Sequence, residues 1–339
     1  MTDTTTDGLR GIELTPEHPV AELAALAETA ETEGFDTVFS SAHYNNRDPF
    51  QALATMAAQT ESIRLGPGVA NPHDTHPVAL ASRVATLDEL SGGRAVFGIG
   101  PGDPSTLKNL GIEAEDRGLR PVLETFKTAQ RLWAGERVDH DGAFEARDAG
   151  LNYEPPGEIP VYVGGEGPHM CRMAAKHADG LLYNGSHPKD IAWAGDRVAE
   201  GLDQRPDHRG EFEFAAYASV SVAAERETAR EAAKPPVAFI TAGAPEPVLG
   251  RHGIDAERAA DVGEHISAGA FRDAFDLVTL AMIDAFAAAG TVEEVAERLA
   301  RVLEYADGVV CGSPLGPDLQ QAIGLAGEAM RLAKERVEN

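Results

Sequence analysis

The segment LGPGVANPHDTHP, residues 65–77, packs three prolines and two glycines between an apolar strand pattern and the start of a helix. Proline fixes one backbone dihedral and glycine opens conformations closed to other residues, so this backbone leaves the strand along a tightly specified path. Small residues also let a flat ring approach the main chain, and loops of this kind usually carry function. We interpret residues 65–77 as the wall on which a cofactor rests.

Strand and helix patterns alternate on both sides of this segment. The strand patterns fall at residues 10–14, 37–40, 63–68, 95–100, 161–163, 180–183, 212–222 and 308–312. Eight strands that alternate with helices predict the α/β class and, within it, a (β/α)8 TIM barrel, whose ligand site lies at the carboxyl ends of the strands. The unusual Gly, Pro and polar strand exits of this chain all fall at that end.

Two longer stretches depart from the simple alternation. Residues 135–160 predict irregular structure before the fifth strand. Residues 234–289 are rich in alanine and indicate helices with turns, which we interpret as an insertion between strands 7 and 8. The pair Thr291 and Glu294 predicts a capping box that starts the next helix. We predict a single barrel domain over residues 1–339, because barrels of this length are routinely one domain.

The charge balance limits the partners. The chain carries 55 acidic and 29 basic residues, a net charge of −26, and only six of the basic residues are lysine. Nucleic-acid binding is disfavoured, because phosphate contacts need a basic surface. A solvated acidic surface is the simplest interpretation. This composition also resembles that of cytosolic proteins from salt-accumulating halophiles, in which salt screens the self-repulsion, and we infer a halophilic source.

Cysteine use and hydropathy predict a soluble, cytoplasmic protein. Cys171 and Cys311 lie far apart and outside CxxC spacing, which argues against a disulfide framework or a structural zinc site. No run of about 18 apolar residues is present, and residues 1–7 lack the basic start and apolar core of a signal peptide. The histidines, His73 and His76 among them, show no metal-ligand spacing with nearby carboxylates. We therefore predict no membrane segment and no metal.

Short motifs, most of them at the strand exits, carry a family resemblance. They are Gly11-Ile12-Glu13, His43-Tyr44-Asn45-Asn46-Arg47, Leu65-Gly66-Pro67-Gly68-Val69 with Asn71-Pro72 and His76-Pro77, Gly98-Ile99-Gly100-Pro101-Gly102-Asp103, Gly167-Pro168, Met282-Ile283-Asp284-Ala285-Phe286 with Gly290-Thr291, and Gly312-Ser313-Pro314-Leu315-Gly316-Pro317. Their order and spacing resemble the luciferase-like barrel superfamily and, within it, the coenzyme F420-dependent methylenetetrahydromethanopterin reductases. The motifs span nearly the whole chain.

This resemblance implies a function as well as a fold. It implies the deazaflavin coenzyme F420, a pterin C1 carrier as substrate, a homo-oligomer, and a non-prolyl cis peptide at Gly68-Val69. The implied reaction transfers a hydride from reduced F420 to the methylene carbon of 5,10-methylenetetrahydropterin, of the methanopterin or the folate type. Two other functions stay open: another luciferase-like F420- or FMN-dependent dehydrogenase or monooxygenase, and a non-catalytic flavin-binding barrel. The chain departs from many relatives at Ala42, where they carry an acidic residue, and at Glu166, where they carry glutamine.

A deazaflavin needs an apolar platform, hydrogen-bond donors at its polar edge and neutralisation of its phosphate. The predicted cofactor-binding residues are His43, Gly66, Gly68, Val69, Asn71, Gly98, Gly100, Gly164, Gly165, Gly167 and Pro168. Residues 164–168 open a helix, whose N-terminal N–H groups can hold a phosphate without a lysine. The plain alternatives are an ordinary Gly-Pro turn after the third strand, a simple connection at 164–168, and a capping role for His43.

Two carboxylates are candidates for proton transfer. Glu13 ends the first strand, so its carboxyl should project into the barrel mouth as the proton donor. Asp103 follows Gly-Pro-Gly at the exit of the fourth strand and is the second candidate. Each has a plain alternative, because Glu13 could cap the Thr15-Pro16 turn and Asp103 could cap the helix that follows it. Glu166 is the predicted substrate contact.

Overall fold

This computed structural model describes residues 8–112, 118–154 and 157–338, and of Ser105 it describes the backbone alone. Along these residues eight parallel strands alternate with helices, so the predicted (β/α)8 barrel with a helical insertion between strands 7 and 8 is confirmed. Three further strands, β5, β6 and β10, lie outside the eight. The strands are β1 (Arg10–Glu13), β2 (Thr37–Ser40), β3 (Arg64–Pro67), β4 (Phe97–Ile99), β5 (Val138–Asp141), β6 (Glu145–Ala149), β7 (Val161–Gly164), β8 (Gly180–Asn184), β9 (Glu213–Val222), β10 (Ala288–Gly290) and β11 (Gly308–Leu315).

Helices follow the strands close to the predicted positions. Within the described ranges they are α1 (Val20–Thr32), α2 (Pro49–Gln59), α3 (Pro77–Ser91), α4 (Pro104–Asn109), α5 (Leu119–Trp133), α6 (Pro168–His177), α7 (Pro188–Leu202), α8 (Arg226–Gly243), α9 (Glu246–His252), α10 (Ala256–Ser267), α11 (Phe271–Asp276), α12 (Leu280–Phe286), α13 (Val292–Leu303) and α14 (Leu319–Glu338). Local chemistry sets their ends. At α2, for example, the Asp48 carboxylate accepts a hydrogen bond from Gln51 N at 3.0 Å.

The chain divides into two compact units. The N-terminal unit comprises Gly11–Tyr183 and Asp196–Ala215. Its strands β1, β2, β3, β4, β7 and β8 form one parallel sheet in that order, with two isolated bridges joining β3 to β4. All of the predicted site residues lie in this unit, at or just beyond the carboxyl ends of its strands.

Two aromatic rings identify the concave face of this sheet. Phe39 on β2 and Tyr162 on β7 belong to strands separated by β3 and β4, yet their ring centroids lie 6.2 Å apart in an edge-to-face contact. Three strand spacings of about 4.8 Å separate β2 from β7 around the sheet, so the contact must cross its hollow side. Both rings therefore face inward. Alternate residues of a strand share a face, so Gly164 faces inward with Tyr162.

The C-terminal unit comprises the described residues 8–10, Asn184–Gly195 and 216–338. Its strand β10 pairs in parallel with β9, and Ala288 lies opposite Val220. The helices of the insertion bury an apolar cluster of their own, which includes Val237, Val262 and Phe286. This cluster gives the alanine-rich segment a core against which its helices pack.

The prediction of irregular structure at residues 135–160 is wrong in part. Strands β5 and β6 form an antiparallel hairpin there. Glu124 on α5 holds the hairpin, because its carboxylate accepts a hydrogen bond from Ala143 N at 2.7 Å and lies 2.8 Å from His140 Nε2. Charged residues at most positions of the hairpin conceal the strand alternation. Residues 155 and 156 of the stretch lie outside the described residues.

The predicted bounds of the insertion also need correction. Helix α8 begins at Arg226, before the predicted start near Lys234, and residues 288 and 289 belong to strand β10 instead of a helix. The predicted capping box is confirmed at α13, where Thr291 N donates to Glu294 Oε2 at 3.0 Å.

Both cysteines are buried as free thiols. Burial raises the pKa of Cys171 to about 12, and likewise that of Cys311, so both stay protonated at neutral pH. In the part of the chain that the structure describes, no helix is long and apolar enough to cross a bilayer.

Candidate active site

The exit of β3 has the geometry that its prolines and glycines indicate. The Gly68-Val69 peptide bond is cis, as the family resemblance implied. Gly68 N donates to Ser40 O at 2.8 Å, and Ala70 N donates to Gly98 O at 2.9 Å. The exit is therefore fixed between the end of β2 on one side and β4 on the other.

Val69 projects into a space that three glycines leave open. A Cβ atom on Gly100 would lie 2.8 Å from Val69 Cγ2, and one on Gly164 would lie 2.9 Å from Val69 Cγ1. A Cβ on Gly98 would lie 2.0 Å from Pro67 O and 3.3 Å from Val69 Cγ1. Any side chain at these positions would displace Val69 or the neighbouring backbone. Since Gly164 faces inward, the Val69 side chain forms an apolar wall on the concave face at the mouth.

Two other predicted residues of the β3 region are used by the protein itself. Gly66 makes a close approach to β4, since a Cβ there would lie 2.2 Å from Val96 O. The Asn71 side chain is buried, accepts hydrogen bonds from His73 N and Asp74 N, and donates to Asp74 Oδ2 at 2.8 Å. Asn71 thereby organises the loop that follows the cis peptide.

Glu13 lies on the inner face at the carboxyl end of β1. It is in register with Phe39 on the adjacent parallel strand, and residues in register project to the same side. Since Phe39 faces inward, the half-buried Glu13 side chain does as well. The structure thus places this carboxylate at the mouth, where the sequence predicts it.

Asp103 has the capping role that the sequence left open. Its Oδ1 accepts a hydrogen bond from Thr106 N at 2.9 Å, which caps the first turn of α4. Gly102 precedes it with a φ of +77°, a conformation that favours glycine. Asp103 lies at the exit of β4, so the cap also fixes its carboxylate at the mouth.

The exit of β7 leads through residues 164–168 into α6. Gly165 N already donates to Leu182 O at 3.2 Å, and a Cβ on Gly165 would lie 2.3 Å from Met170 Cγ. Gly167 is the N-cap residue, its own side-chain position is open space, and Pro168 occupies the first helical turn. Glu166 is exposed. The positions of the segment therefore differ, with Gly165 fixed by packing and Glu166 and Gly167 exposed.

The loop that carries His43 is tied to two neighbours. Asn46 N donates to His43 O at 3.0 Å, and Arg47 Nη1 donates to Glu17 O, beyond β1, at 2.6 Å. From the other side, Asn109 Nδ2 at the end of α4 donates to Tyr44 OH at 3.0 Å. These bonds bring the exits of β1, β2 and β4 together around His43.

Ser41 is a residue of the mouth that the sequence analysis missed. It directly follows β2 and is only 5% exposed, and its Oγ has no hydrogen-bond partner among the described residues. A small polar residue between a buried strand and His43 is the one signal that points to it.

The C-terminal unit holds a buried ionic cluster that the sequence also did not indicate. Asp190 on α7 pairs with Arg251, and its Oδ2 lies 2.7 Å from His252 Nε2. Burial acts to raise the pKa of Asp190, but hydrogen bonds from His252 and Arg251 outweigh it and hold that pKa below its usual range. The ring centroids of His187 and His252 lie 4.7 Å apart. Burial, together with the nearby charge of Arg298, lowers the pKa of His187 to about 4. We name these residues, Asp190, Arg251, His252 and His187, the ionic pin.

The mouth of the N-terminal unit fits a flat ring with a polar edge. Val69 supplies an apolar wall, Glu13 supplies a carboxylate, and the Ser41 hydroxyl is a buried polar group that still lacks a partner among the described residues. Within the same ranges, no group of three or more His, Cys, Asp or Glu side chains could hold a metal ion. The arrangement suits an organic coenzyme of the flavin shape.

Comparison with known proteins agrees with this architecture. The family model for luciferase-like monooxygenases matches residues 4–308. The chain therefore belongs to the luciferase-like monooxygenase family.

Within that family the chain is similar to 5,10-methylenetetrahydromethanopterin reductases. It is 40% identical to the reductase of Archaeoglobus fulgidus over 324 residues, which cover 94% of this chain and 97% of the relative. The reductase of Methanolobus tindarius is 39% identical over 94% of this chain and 98% of its own. The solved coenzyme F420-dependent tetrahydromethanopterin reductase of Methanopyrus kandleri superimposes with a TM-score of 0.88 at 35% identity, covering 95% of this chain and 98% of that one.

Proposed function

We propose that this protein is an F420-dependent 5,10-methylenetetrahydropterin reductase. It moves a hydride from reduced F420 to the methylene carbon of the pterin and yields the 5-methyl carrier. The observation that carries the proposal is the 40% identity to a methylenetetrahydromethanopterin reductase over 94% of the chain. Val69 and Glu13 both face inward at the carboxyl end of the sheet, and they support the proposal because they supply the apolar wall and the acid that the reaction needs.

The residues of the mouth divide the binding of F420 among them. Val69 forms the wall for the ring, in the room left by the absent side chains of Gly98, Gly100 and Gly164. The start of α6 at Pro168 supplies helix N–H groups for the coenzyme phosphate, since a helix N-terminus favours an anion. Glu166, exposed in front of that helix, faces the substrate side of the site. FMN, the alternative coenzyme, shares the flat ring and a phosphate, so the comparison of the two is part of the test below.

Glu13 is the proposed general acid. The methylene bridge joins two nitrogens of the pterin, and protonation of the leaving nitrogen breaks its bond to the methylene carbon and gives an iminium on the substrate. Reduced F420, when bound, supplies the hydride that converts this iminium to the methyl group. Glu13 delivers the proton from its position at the inner end of β1 and is then the carboxylate, which solvent reprotonates. Asp103, fixed by its cap to Thr106, is the second candidate for this role.

The test is a coenzyme oxidation assay at high salt. The protein should oxidise reduced F420 when 5,10-methylenetetrahydromethanopterin or 5,10-methylenetetrahydrofolate is added, and only then. The ratio of the two rates identifies the carrier. Oxidation without any pterin, or oxygen-dependent turnover with reduced FMN, would contradict the proposal and favour another luciferase-like enzyme. Tight F420 binding without turnover of either pterin would favour a binding protein.

We also propose that the chain works as a single functional domain, in the cytoplasm, and as a homo-oligomer. The insertion exposes Phe239 and Phe271, whose rings lie 5.9 Å apart, and this apolar surface supports self-association. Light scattering coupled to gel filtration measures the oligomeric state, and a monomer at micromolar concentration would contradict that part.

A further inference from the structure

Ser41 combines deep burial with an unused hydroxyl. The side chain is 5% exposed, its Oγ is shielded from solvent, and among the described residues no atom hydrogen-bonds to it. Buried polar groups of native proteins are nearly always paired, so each exception asks for an explanation. A missing ligand is one such explanation when the group lies in a binding site.

The neighbouring serine shows that the local backbone does not enforce this state. Ser40 is also buried, but its Oγ donates to Leu14 O at 3.2 Å across to the exit of β1. Alternate residues point to opposite faces of a strand, so Ser40 and Ser41 have different surroundings. Ser41 shares the parity of Phe39, two residues earlier, which faces inward. Its hydroxyl therefore lies on the ligand side of β2.

Ser41 also adjoins the wall formed by the cis peptide. The carbonyl of the peptide that joins Ser40 to Ser41 accepts the hydrogen bond from Gly68 N at 2.8 Å. Gly68 is the first residue of the cis Gly68-Val69 bond. Ser41 and Val69 thus leave adjacent strands side by side, one with a hydroxyl and the other with an apolar side chain.

We propose that Ser41 is a coenzyme-binding residue, whose hydroxyl donates a hydrogen bond to an acceptor atom on the deazaflavin ring or its ribityl chain. The inference rests on the proposed function, which places F420 in this mouth. The phosphate is a different subsite, because the start of α6 follows β7, three strand spacings of about 4.8 Å from β2. A flat ring against Val69 presents its polar edge or its chain to the neighbouring strand exit.

The shielding of the oxygen is compatible with this role. A serine side chain has three staggered positions about its first dihedral, and a change between them moves the oxygen without moving the backbone. The position that Ser41 Oγ takes in the structure has no hydrogen-bond partner among the described residues. The coenzyme supplies the acceptor that makes one position favourable.

This assignment has an energetic signature that a structural serine lacks. An unpaired buried hydroxyl destabilises the free protein, so its removal should leave the melting temperature unchanged or raise it. The same removal deletes a hydrogen bond from the complex. The Ser41 hydroxyl gives up no hydrogen bond to water when this bond forms, because it is already shielded from solvent. The loss of affinity should therefore reach the upper end of the range for one hydrogen bond, about tenfold or more.

The experiment compares Ser41→Ala with Ser40→Ala in the full-length protein. Two quantities are measured for each: the melting temperature without coenzyme, and the dissociation constant from the change in F420 fluorescence on binding. For Ser41→Ala we expect no decrease in melting temperature and a dissociation constant about tenfold higher. For Ser40→Ala, which loses a satisfied hydrogen bond, we expect a lower melting temperature and a smaller change in affinity.

A phosphate-free deazaflavin that keeps the ring and ribityl chain locates the contact. Its affinity should fall by the same factor in Ser41→Ala as that of F420, and an unchanged affinity would overturn the proposed ring or ribityl contact. Ser41→Cys replaces the hydroxyl by a slightly larger thiol that is a weaker donor, so its affinity should lie between those of the wild type and Ser41→Ala.

Two further results would overturn the role of Ser41. One is wild-type affinity in Ser41→Ala. The other is a melting temperature that falls as far as in Ser40→Ala, which would make the hydroxyl structural. Failure of the wild-type protein to bind F420 is a separate result and would contradict the proposed function itself.

Discussion

The mouth of the N-terminal unit and the ionic pin of the C-terminal unit obtain their fixed geometry in opposite ways. At the mouth, the specified geometry comes from absent side chains, because Gly98, Gly100 and Gly164 leave the room that Val69 fills. In the ionic pin it comes from charged side chains, because Asp190, Arg251 and His252 satisfy one another away from water.

The difference teaches which substitutions each region tolerates. At the mouth an added methyl group meets backbone or Val69 atoms, so volume is restricted, and the proposed general acid Glu13 lies there. In the ionic pin, the removal of one charge leaves another buried without a counter-charge. Function should therefore be sensitive to charge at the mouth, and stability to charge in the ionic pin.

The largest expected effect is a loss of turnover, and it tests the role of charge at the mouth. Glu13→Gln keeps the size of the side chain but cannot deliver a proton, so turnover should fall about a hundredfold to ten-thousandfold while folding and F420 binding persist. Steady-state kinetics with both pterins measure it. Glu17→Gln, on the exposed part of the same exit, is the control and should keep the wild-type rate. Near-wild-type turnover in Glu13→Gln would move the role of acid to Asp103.

The ionic pin should show the largest loss of stability. Asp190→Asn keeps the shape of the side chain but removes its negative charge. The partners Arg251 and His252 are then left largely buried, with side-chain exposures of 19% and 4%. The free energy of unfolding should decrease by about 3–5 kcal/mol, the usual cost of breaking a buried pair. Urea denaturation measures it. The pair of the exposed Asp196 with the partly buried Arg197 offers the control Asp196→Asn, expected to change stability by less than about 0.5 kcal/mol. Equal effects would show that burial does not distinguish the two pairs.

Substitutions at two glycines test whether volume is restricted at the mouth. A methyl group on Gly98 would meet Pro67 O at 2.0 Å, so Gly98→Ala should lower the free energy of unfolding by about 1–3 kcal/mol and weaken F420 binding. Gly243 ends α8 with nothing within 4 Å of an added Cβ, so Gly243→Ala should be neutral or stabilising by up to about 1 kcal/mol. Thermal and chemical unfolding compare the two. A stable Gly98→Ala would show that the wall around Val69 can shift.

Acidification should weaken the ionic pin through His187. Its Nδ1 accepts a hydrogen bond from Lys189 N at 3.1 Å, and its folded pKa is about 4, below the value of about 6.5 expected when unfolded. Between these values the unfolded chain binds a proton that the folded chain does not, so stability falls as pH drops from 7 to 4. For this half-exposed ring we expect about 1 kcal/mol after solvent screening.

His187→Asn keeps a side-chain acceptor for Lys189 N at the start of α7 but does not titrate. Its loss of melting temperature between pH 7 and pH 5 should be smaller than that of the wild type. His177 in the N-terminal unit, whose pKa burial and nearby Lys127 also lower to about 4, provides the matched variant His177→Asn. Identical pH profiles in all three proteins would contradict the assignment.

Salt should act on the acidic surface more than on either buried region. With a net charge of −26, dilution lengthens the screening distance from about 3 Å at 1 M to about 30 Å at 0.01 M and strengthens repulsion across the fold. The melting temperature should fall by several degrees on transfer to low salt. An unchanged or higher value would contradict the halophilic interpretation of the composition.

The alternation of strands and helices was enough to predict the barrel, and the spacing of Thr291 and Glu294 predicted the capping box. The cis Gly68-Val69 bond was implied by the family resemblance. The hairpin β5 and β6 was missed, because charged residues at most of its positions hide a period-2 pattern. Asp103 shows a different limit. The sequence left a cap and a site role open, and only the contact with Thr106 N shows the cap.

The sequence by itself determined the order of elements, the unusual exit of β3 and the carboxylate at the end of β1, since these depend on neighbours along the chain. Only the tertiary structure decided that Gly98, Gly100 and Gly164 surround Val69, that Ser41 keeps an unused hydroxyl among the described residues, and that Asp190 pairs with Arg251 and His252. The physical reason is that these contacts join residues distant in sequence. Burial and pairing are properties of the packed chain, which local spacing does not encode.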